Sequence, residues 1–285
     1  MPKFLLSFLL FIYFFSTNFP QYNPGARQIS IANSDAGLAN DVFSVFNNMS
    51  GLSQMNWREI GLYYSPAPFG FSEMANGFIA YHEPFSIGSL GIGGMTYGFE
   101  LYRESRFTAA FSHNFDNSFF AGISLNYHSV SIKKYGSTGA VYVDVGGLYY
   151  LTYYIRWGFF VQNINHATFK DYNDQIPIIL NTGISMDILN NLSLNASVEK
   201  DIRYNASISA GIEYDIIKYF SLRSGFSNEP SRYTAGIGIH YFFFDVDYAI
   251  FTHSDLGMTH QVGLIINFSS DKSRREKLRE YLEIN

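Results

Sequence analysis

Short stretches in which apolar and polar residues alternate recur along the chain. In residues 191–201 an apolar side chain occupies nearly every second position, with Ser, Asn and acidic residues between. Residues 180–188, 207–216 and 259–268 repeat the alternation. A period of two is that of a β-strand with two different faces. No stretch between residues 23 and 268 is apolar for the ~20 residues of a membrane helix, so the pattern predicts an all-β chain.

Turn residues divide this region into about fourteen strands, and single-chain bacterial barrels have an even number. The predicted strands are 59–66, 75–83, 87–99, 105–115, 118–131, 139–151, 153–164, 177–188, 191–201, 205–216, 218–227, 231–242, 243–252 and 258–268. Short turns alternate with longer loops, and the longest loop runs from Asn165 to Ile176. Because short turns of membrane barrels face the periplasm and longer loops face outward, we expect this loop outside the cell.

Two classes of protein show this alternation, and composition separates them. The polar face of a soluble β-sandwich is normally rich in Lys, Glu and Arg, whereas here it carries Ser, Asn, Gly and scattered acids. Charged residues make up only 15% of the chain and aromatic residues 18%, with 28 Phe and 22 Tyr. These features favour a transmembrane antiparallel β-barrel of about 14 strands in the bacterial outer membrane. A sandwich held by an N-terminal anchor is the alternative.

The remaining composition excludes several functions. The formal net charge of -5 argues against a nucleic-acid partner. The chain has no Cys and its seven His are dispersed, so we expect no metal site. Neither a phosphate-binding loop nor a Gly-x-Ser-x-Gly nucleophile turn occurs. The sequence thus indicates a non-enzymatic protein without a cofactor, in contact with outer-membrane lipid.

The two ends of the chain differ from the predicted strands. Residues 1–21 resemble a signal peptide, with an uncleaved anchor as the alternative. Residues 22–56 are a short amphipathic segment, in which Asp41 is the expected N-cap of a helix that ends near Asn48. Placed inside the barrel of residues 57–268, this segment would line or plug the lumen.

A charged tail, residues 269–285, follows the last strand. It is predicted to be a solvated helix with Leu278, Tyr281 and Leu282 on one face. Without the tail and Lys3, the chain carries 13 basic and 20 acidic residues, so the barrel is more acidic than the whole protein.

Two motifs, one at each end of the mature chain, resemble the PorV/PorQ family of outer-membrane proteins. The first is Gly25-Ala26-Arg27, then Ala32 and Ala36-Gly37-Leu38-Ala39-Asn40-Asp41, then Asn48-Met49-Ser50-Gly51-Leu52. The second is Asp245-Val246-Asp247-Tyr248-Ala249, then Leu256-Gly257-Met258-Thr259-His260-Gln261. The resemblance implies a fourteen-stranded barrel, similar to fatty-acid transporter barrels, with an N-terminal luminal segment. It also implies docking or shuttling of a secreted or envelope protein in type IX secretion, as in Bacteroidetes.

The chain departs from the family pattern at two places. Met49-Ser50 stands where the family has Pro-Ala, and seventeen residues follow Phe268. The extracellular loops are also short for a protein that grips cargo. A conduit for hydrophobic small molecules, resembling the fatty-acid transporter barrels, is therefore kept as the alternative function.

The motifs single out two sets of residues. The plug or gate candidates are Arg27, Asp41 and Asn48. The closing-hairpin signature comprises Asp245, Asp247, Tyr248, Thr259 and His260. Inside a lumen, Arg27 and Asp41 would each need a charged or polar partner, and residues on the polar strand faces could supply one: Asp187, Glu199, Asp201, Glu213, Asp215 and Arg223. Either a gate that opens or a permanent plug fits this pattern.

Overall fold

The computed structural model describes residues 23–169, 174–253, 256–269 and 272–283; the predicted signal peptide lies outside this range. Fourteen long strands, each antiparallel to its neighbours, close into a barrel, and two short strands form a separate hairpin. The strands are β1 (Glu59–Ser65), β2 (Asn76–Phe85), β3 (Gly88–Gly98), β4 (Tyr102–Phe115), β5 (Phe119–Ile132), β6 (Gly136–Thr152), β7 (Ile155–Gln162), β8 (Thr168–Phe169), β9 (Asp174–Gln175), β10 (Ile179–Leu189), β11 (Leu192–Asp201), β12 (Ser207–Ile217), β13 (Phe220–Asn228), β14 (Ser231–Tyr241), β15 (Phe244–His253) and β16 (Gly257–Asn267).

The predicted barrel is confirmed, with every strand boundary within three residues of its expected position. The alternation explains this accuracy, because each strand has one face against the lumen and one against lipid. On β11, Leu194 is 43% exposed on the outer face, while its neighbours Ser193 and Asn195 are 1% and 3% exposed. The hairpin of β8 and β9 was not predicted, and it lies in the longest loop.

The barrel closes where β1 pairs with β16, a junction called the seam below. This ladder joins six residue pairs, from Glu59 with Asn267 to Tyr64 with Val262. By comparison, β4 and β5 pair over fourteen residues. The start of β1 and the end of β16 lie at the same end of the barrel as the short turns, which is the periplasmic end by the usual rule.

The N-terminal residues fill the lumen. Residues 24–55, called the luminal segment, are all buried except the half-buried Asn33. The segment contains helix α1 (Ala26–Ser30) and two 3₁₀ turns, Val42–Val45 and Met49–Gln54. The N-cap prediction is confirmed because the Asp41 side chain accepts from the Phe43 amide. The single helix expected to end near Asn48 is wrong: Asn48 instead caps the second turn, since its side chain accepts from the Ser50 amide.

Helix α2 (Arg274–Tyr281) lies across the periplasmic mouth. The expectation of a solvated helix is wrong, since Arg275, Lys277 and Leu278 are all buried. A barrel that is more acidic than the whole chain can accommodate these cations, as its inner carboxylates lie within reach. No helix in the described part of the chain is long and apolar enough to cross a membrane.

Candidate functional site

A buried ion network joins the luminal segment to the barrel. Arg27 of α1 donates to both carboxylate oxygens of Glu213 on β12, at 2.8 and 3.1 Å. Glu213 also accepts from Arg223 on β13 at 3.0 Å, and Arg223 donates to Asp247 on β15 at 2.5 Å. All four side chains are at most 7% exposed. Glu213 and Arg223, two of the expected partners, thus connect the residues of both end motifs.

The other plug candidates hold the luminal segment's own shape. Asp41 accepts from Arg27 at 3.1 Å and from Gln28 at 2.6 Å. Asn48 donates to the Ala36 carbonyl at 2.9 Å and to the Gly147 carbonyl on β6 at 3.1 Å. Asn48 therefore ties the segment to β6, which lies four strands from β12 in the order of the barrel, so the segment is attached to the wall at two separate places.

Nine inward-facing glycines on eight strands, called the glycine belt, surround the luminal segment. A Cβ on any of them would lie less than 3.0 Å from an atom of the segment. The belt consists of Gly61, Gly91, Gly93, Gly122, Gly146, Gly158, Gly211, Gly225 and Gly236. The closest approach is at Gly158, where a Cβ would lie 1.9 Å from the Ala36 carbonyl oxygen. Because these wall positions carry no side chain, the luminal segment packs directly against the backbone of the strands.

The closing-hairpin residues divide between the two faces of the wall. Asp245 and Asp247 face the lumen, whereas Tyr248 and His260 face outward and join through a 2.6 Å hydrogen bond between Tyr248 Oη and His260 Nδ1. Thr259 faces inward and accepts from the Phe69 amide at 3.0 Å. The five residues therefore form no single site, and Asp247 alone joins the ion network.

Helix α2 contributes two arginines to the periplasmic end of the lumen. Arg274 donates to Glu59 at 2.6 Å, to Asp245 at 3.1 Å and to the Asn40 carbonyl at 2.9 Å. Arg275 lies 3.4 Å from Glu213. The helix thus contacts β1, β12, β15 and the luminal segment together.

A row of polar groups, called the rim ladder, crosses four adjacent strands beneath α2. It consists of Asp215, Ser221, His240 and Asp245. Ser221 Oγ lies 2.9 Å from His240 Nε2, and His240 Nδ1 lies 2.9 Å from Asp245 Oδ1, an arrangement that serine hydrolases use. However, Ser221 Oγ also lies 2.5 Å from Asp215 Oδ1.

The direction of the Ser221 hydrogen bond argues for a structural role of the rim ladder. The Ser221 hydroxyl donates its one proton to Asp215, so this proton is not directed at His240. A serine nucleophile needs a base that takes its proton, and Ser221 is also fully buried. The ladder therefore ties strands together.

Lys277 on α2 is a buried cation held by neutral groups. Its Nζ donates to Asn267 at 3.3 Å and to Ser269 at 2.8 Å, and it lies 4.6 Å from the centre of the Trp57 ring. Burial, and next the nearby Arg274 guanidinium, lower the pKa of Lys277 from 10.5 to about 8. Docked α2 thus binds this proton more weakly than a free tail does.

Raising the pH from 8 to 9.5 is therefore expected to strengthen docking of α2 by about tenfold, because the undocked tail retains the Lys277 proton through this range. Acrylamide quenching of Trp57 fluorescence in a Trp157→Phe background measures the docking of α2, since the docked helix covers Trp57. Quenching should fall as the pH rises. The Lys277→Met variant should show no such change, and an equal change in both proteins would contradict the assignment.

The lumen has an apolar side as well as a charged one. Tyr63, Phe78, Met95 and Phe251 face inward and pack with Phe46 of the luminal segment in one buried cluster. Outside this part of the wall, beside the seam, lies a groove of about 700 Å³. Tyr63, Phe78 and Met95 line this groove too.

The groove exists because two outward positions lack side chains. Gly77 on β2 and Gly94 on β3 lie among outward side chains that include Leu62, Tyr64 and Val262. A Cβ on Gly94 would meet only Ile79, at an ordinary 3.5 Å. This groove was not predicted from the sequence, although the adjacent Gly93 and Gly94, which face opposite sides of one strand, were a usable signal.

Comparisons with known proteins agree on the fold. No family model matches the chain, and no curated protein matches its sequence. The P. putida toluene transporter TodX is 14% identical over 80% of this chain and 92% of its own, with a TM-score of 0.54. The deltaS2 mutant of the TodX monoaromatic hydrocarbon channel is 10% identical over 87% and 99%, with a TM-score of 0.64. A Pseudomonas aeruginosa FadL homologue is 11% identical over 86% and 97%, with a TM-score of 0.56.

At these identities the likeness shows the fold alone, which is similar to that of the FadL-type transporter barrels. No family model and no sequence match supports the PorV/PorQ resemblance specifically. A closed barrel has no unpaired strand edge, and its apolar outer side chains suit lipid. The protein is therefore a bacterial outer-membrane β-barrel.

Proposed function

We propose that this protein is an outer-membrane channel for small hydrophobic molecules. The observation that carries the proposal is the groove beside the seam, because Tyr63, Phe78 and Met95 line both it and the apolar side of the lumen. One neighbour adds support: TodX, in its native and deltaS2 forms, is a toluene transporter and monoaromatic hydrocarbon channel.

The luminal segment determines the route in this proposal. Because it fills the lumen and fits the glycine belt, a straight path along the barrel axis is closed. An apolar molecule that enters from outside reaches the inner cluster above the segment and leaves through the wall at Gly77 and Gly94. This path avoids the buried ion network of Arg27, Glu213, Arg223 and Asp247, and its mostly apolar surroundings suit an apolar molecule. The one charged group that lines the groove, among the described residues, is the Arg106 guanidinium, which lies 5.2 Å from the centre of the Phe46 ring.

Uptake of toluene by cells that carry the protein in their outer membrane tests the channel. The Gly94→Leu variant fills the groove from the lipid side and is expected to reduce uptake by at least about tenfold, as a blocked constriction does. Ala196→Leu on β11 adds the same side chain to the opposite outer face and should transport normally.

Two results would count against the proposal. If cells with the native protein take up toluene no faster than cells without it, the protein is not a channel for toluene. If cells with the Gly94→Leu variant take up toluene normally, the route through the wall is wrong, although the protein can still be a channel.

Docking of a secreted or envelope protein, in the manner of PorV/PorQ proteins, is a second candidate. It is favoured by one observation: Arg27 of the first motif and Asp247 of the second are linked through Glu213 and Arg223. Purification from native membranes in mild detergent, followed by mass spectrometry, tests it. A stoichiometric protein partner would support docking, and a barrel that arrives alone would count against it.

A further inference from the structure

We propose that helix α2 is a latch for the luminal segment, so that release of the helix from the periplasmic mouth loosens the segment inside the barrel. The latch acts through two buried carboxylates, Glu59 and Glu213, each of which is shared by the helix and the segment. This inference does not depend on what the barrel carries.

Glu59 is the first shared carboxylate. One of its oxygens accepts from Arg274 of α2 at 2.6 Å and from the Trp57 indole at 2.7 Å. Its other oxygen accepts from the Val42 amide of the luminal segment at 3.0 Å. Glu59 is fully buried, so departure of Arg274 leaves a buried carboxylate with neutral donors only. The carboxylate that binds the Val42 amide is then no longer neutralised by a cation, so its contact with the luminal segment is weakened.

Glu213 is the second shared carboxylate. It binds Arg27 of the luminal segment at 2.8 Å and lies 3.4 Å from Arg275 of α2. Arg274 adds a direct contact with the segment, since it donates to the Asn40 carbonyl at 2.9 Å. Helix and segment therefore stabilise each other, and such coupling is reciprocal.

Helix α2 has its own cap at one end and an apolar contact beyond the other. Its start has a complete capping box between Ser273 and Glu276, which satisfies the first turn without the barrel. Beyond the other end of the helix, Leu282 packs with Phe120 and Leu148 on β5 and β6. The helix thus bridges the mouth between the charged wall and an apolar wall, with one anchor at each end.

The test uses the absence of cysteine from the chain. In a Ser44→Cys background, the only thiol lies in the luminal segment at a buried position, and its labelling by a maleimide in membranes reports loosening. Combined Arg274→Met and Arg275→Met substitutions should accelerate labelling by at least about tenfold, as expected for typical coupling between sites. Quenching of Trp57 in a Trp157→Phe background reports detachment of the helix.

A matched control removes the same charge from the exposed side of the tail. Lys272 is exposed and Arg279 is half-buried, and they contact Glu280 and Asn190, respectively. Lys272→Met with Arg279→Met should therefore leave labelling within about twofold of the parent. Because loss of Arg274 leaves Glu59 unpaired, a second variant, Leu282→Asp, detaches the other end of the helix and keeps both arginines. It too should accelerate labelling.

Each outcome decides the proposal, provided that the variants keep the heat-sensitive gel mobility of a folded barrel. Faster labelling together with exposed Trp57 supports the latch. Exposed Trp57 with unchanged labelling overturns it, because the helix then leaves without loosening the segment. Unchanged Trp57 quenching in both variants also overturns it, because these contacts then do not hold the helix. None of these readouts involves transport, so failure here is distinct from failure of the channel proposal.

Discussion

Glu213→Gln is expected to lower the free energy of unfolding of the barrel by about 3–5 kcal/mol, the range for removing one partner from a buried ion network. The substitution keeps the shape of the side chain but removes its charge. Arg27 and Arg223 then remain buried without the carboxylate that binds both at 2.8–3.0 Å. Guanidinium unfolding in detergent, followed by gel mobility, measures the change in midpoint.

Glu83→Gln is the matched control for this measurement. Glu83 also lies on a barrel strand and pairs with an arginine, Arg58, at 2.8 Å. This pair is in contact with solvent, where water replaces the lost interaction. The midpoint should hardly move. Equal midpoints for the two variants would show that the Glu213 network does not stabilise the fold.

Gly158→Val is expected to displace the luminal segment and open the barrel to ions. A Cβ at this position would lie 1.9 Å from the Ala36 oxygen and 2.6 Å from its carbonyl carbon. Both are backbone atoms, which cannot turn away as a side chain can. Gly37, the next residue, also lies against strand backbone, so no small shift relieves the overlap. Planar-bilayer recordings should show persistent conductance that the parent protein lacks.

Gly94→Val is the control for conductance. It adds the same side chain to the same barrel, but on the outer face, where only Ile79 lies near. Its conductance should match that of the parent. If the Gly158→Val barrel conducts no ions and is as stable as the parent, the close fit between wall and segment is contradicted.

The strand pattern was predictable from the sequence because it follows from local chemistry. Lipid on one side and a crowded polar lumen on the other impose a period of two, and Leu194 between Ser193 and Asn195 is the result. The cap at Asp41 was predictable for the same reason, since an N-cap bonds within its own turn. The need of Arg27 for a carboxylate on a polar strand face was also foreseeable, although six partners were open.

The position of α2 could not be predicted in this way. Arg275 and Lys277 belong to a charge run, and such runs are usually solvated. The burial of Arg275 depends on Glu213, which is far away in sequence, and the burial of Lys277 depends on how the chain turns back to Asn267 at the end of the last strand. The acidic balance of the barrel was the one global signal that a basic tail has partners inside.

The glycine belt was likewise beyond a local analysis. Glycine within a strand usually indicates a bend or relief of crowding, and the sequence around Gly91, Gly93 and Gly236 fits that interpretation equally well. Their common feature is contact with a segment that lies elsewhere in the sequence. Only the closed barrel brings these glycines around residues 24–55.

The seam gives the wall an uneven resistance to lateral tension. β1 and β16 pair over six residues, and their register ends at Tyr64 and Val262. Arg274 clips the periplasmic end of this junction, where it contacts Glu59 on β1 and Asp245 on β15. Lateral tension in the membrane would therefore separate β1 from β16 first at the Tyr64 and Val262 end. Separation would proceed toward the periplasmic end and stop at the contacts of Arg274.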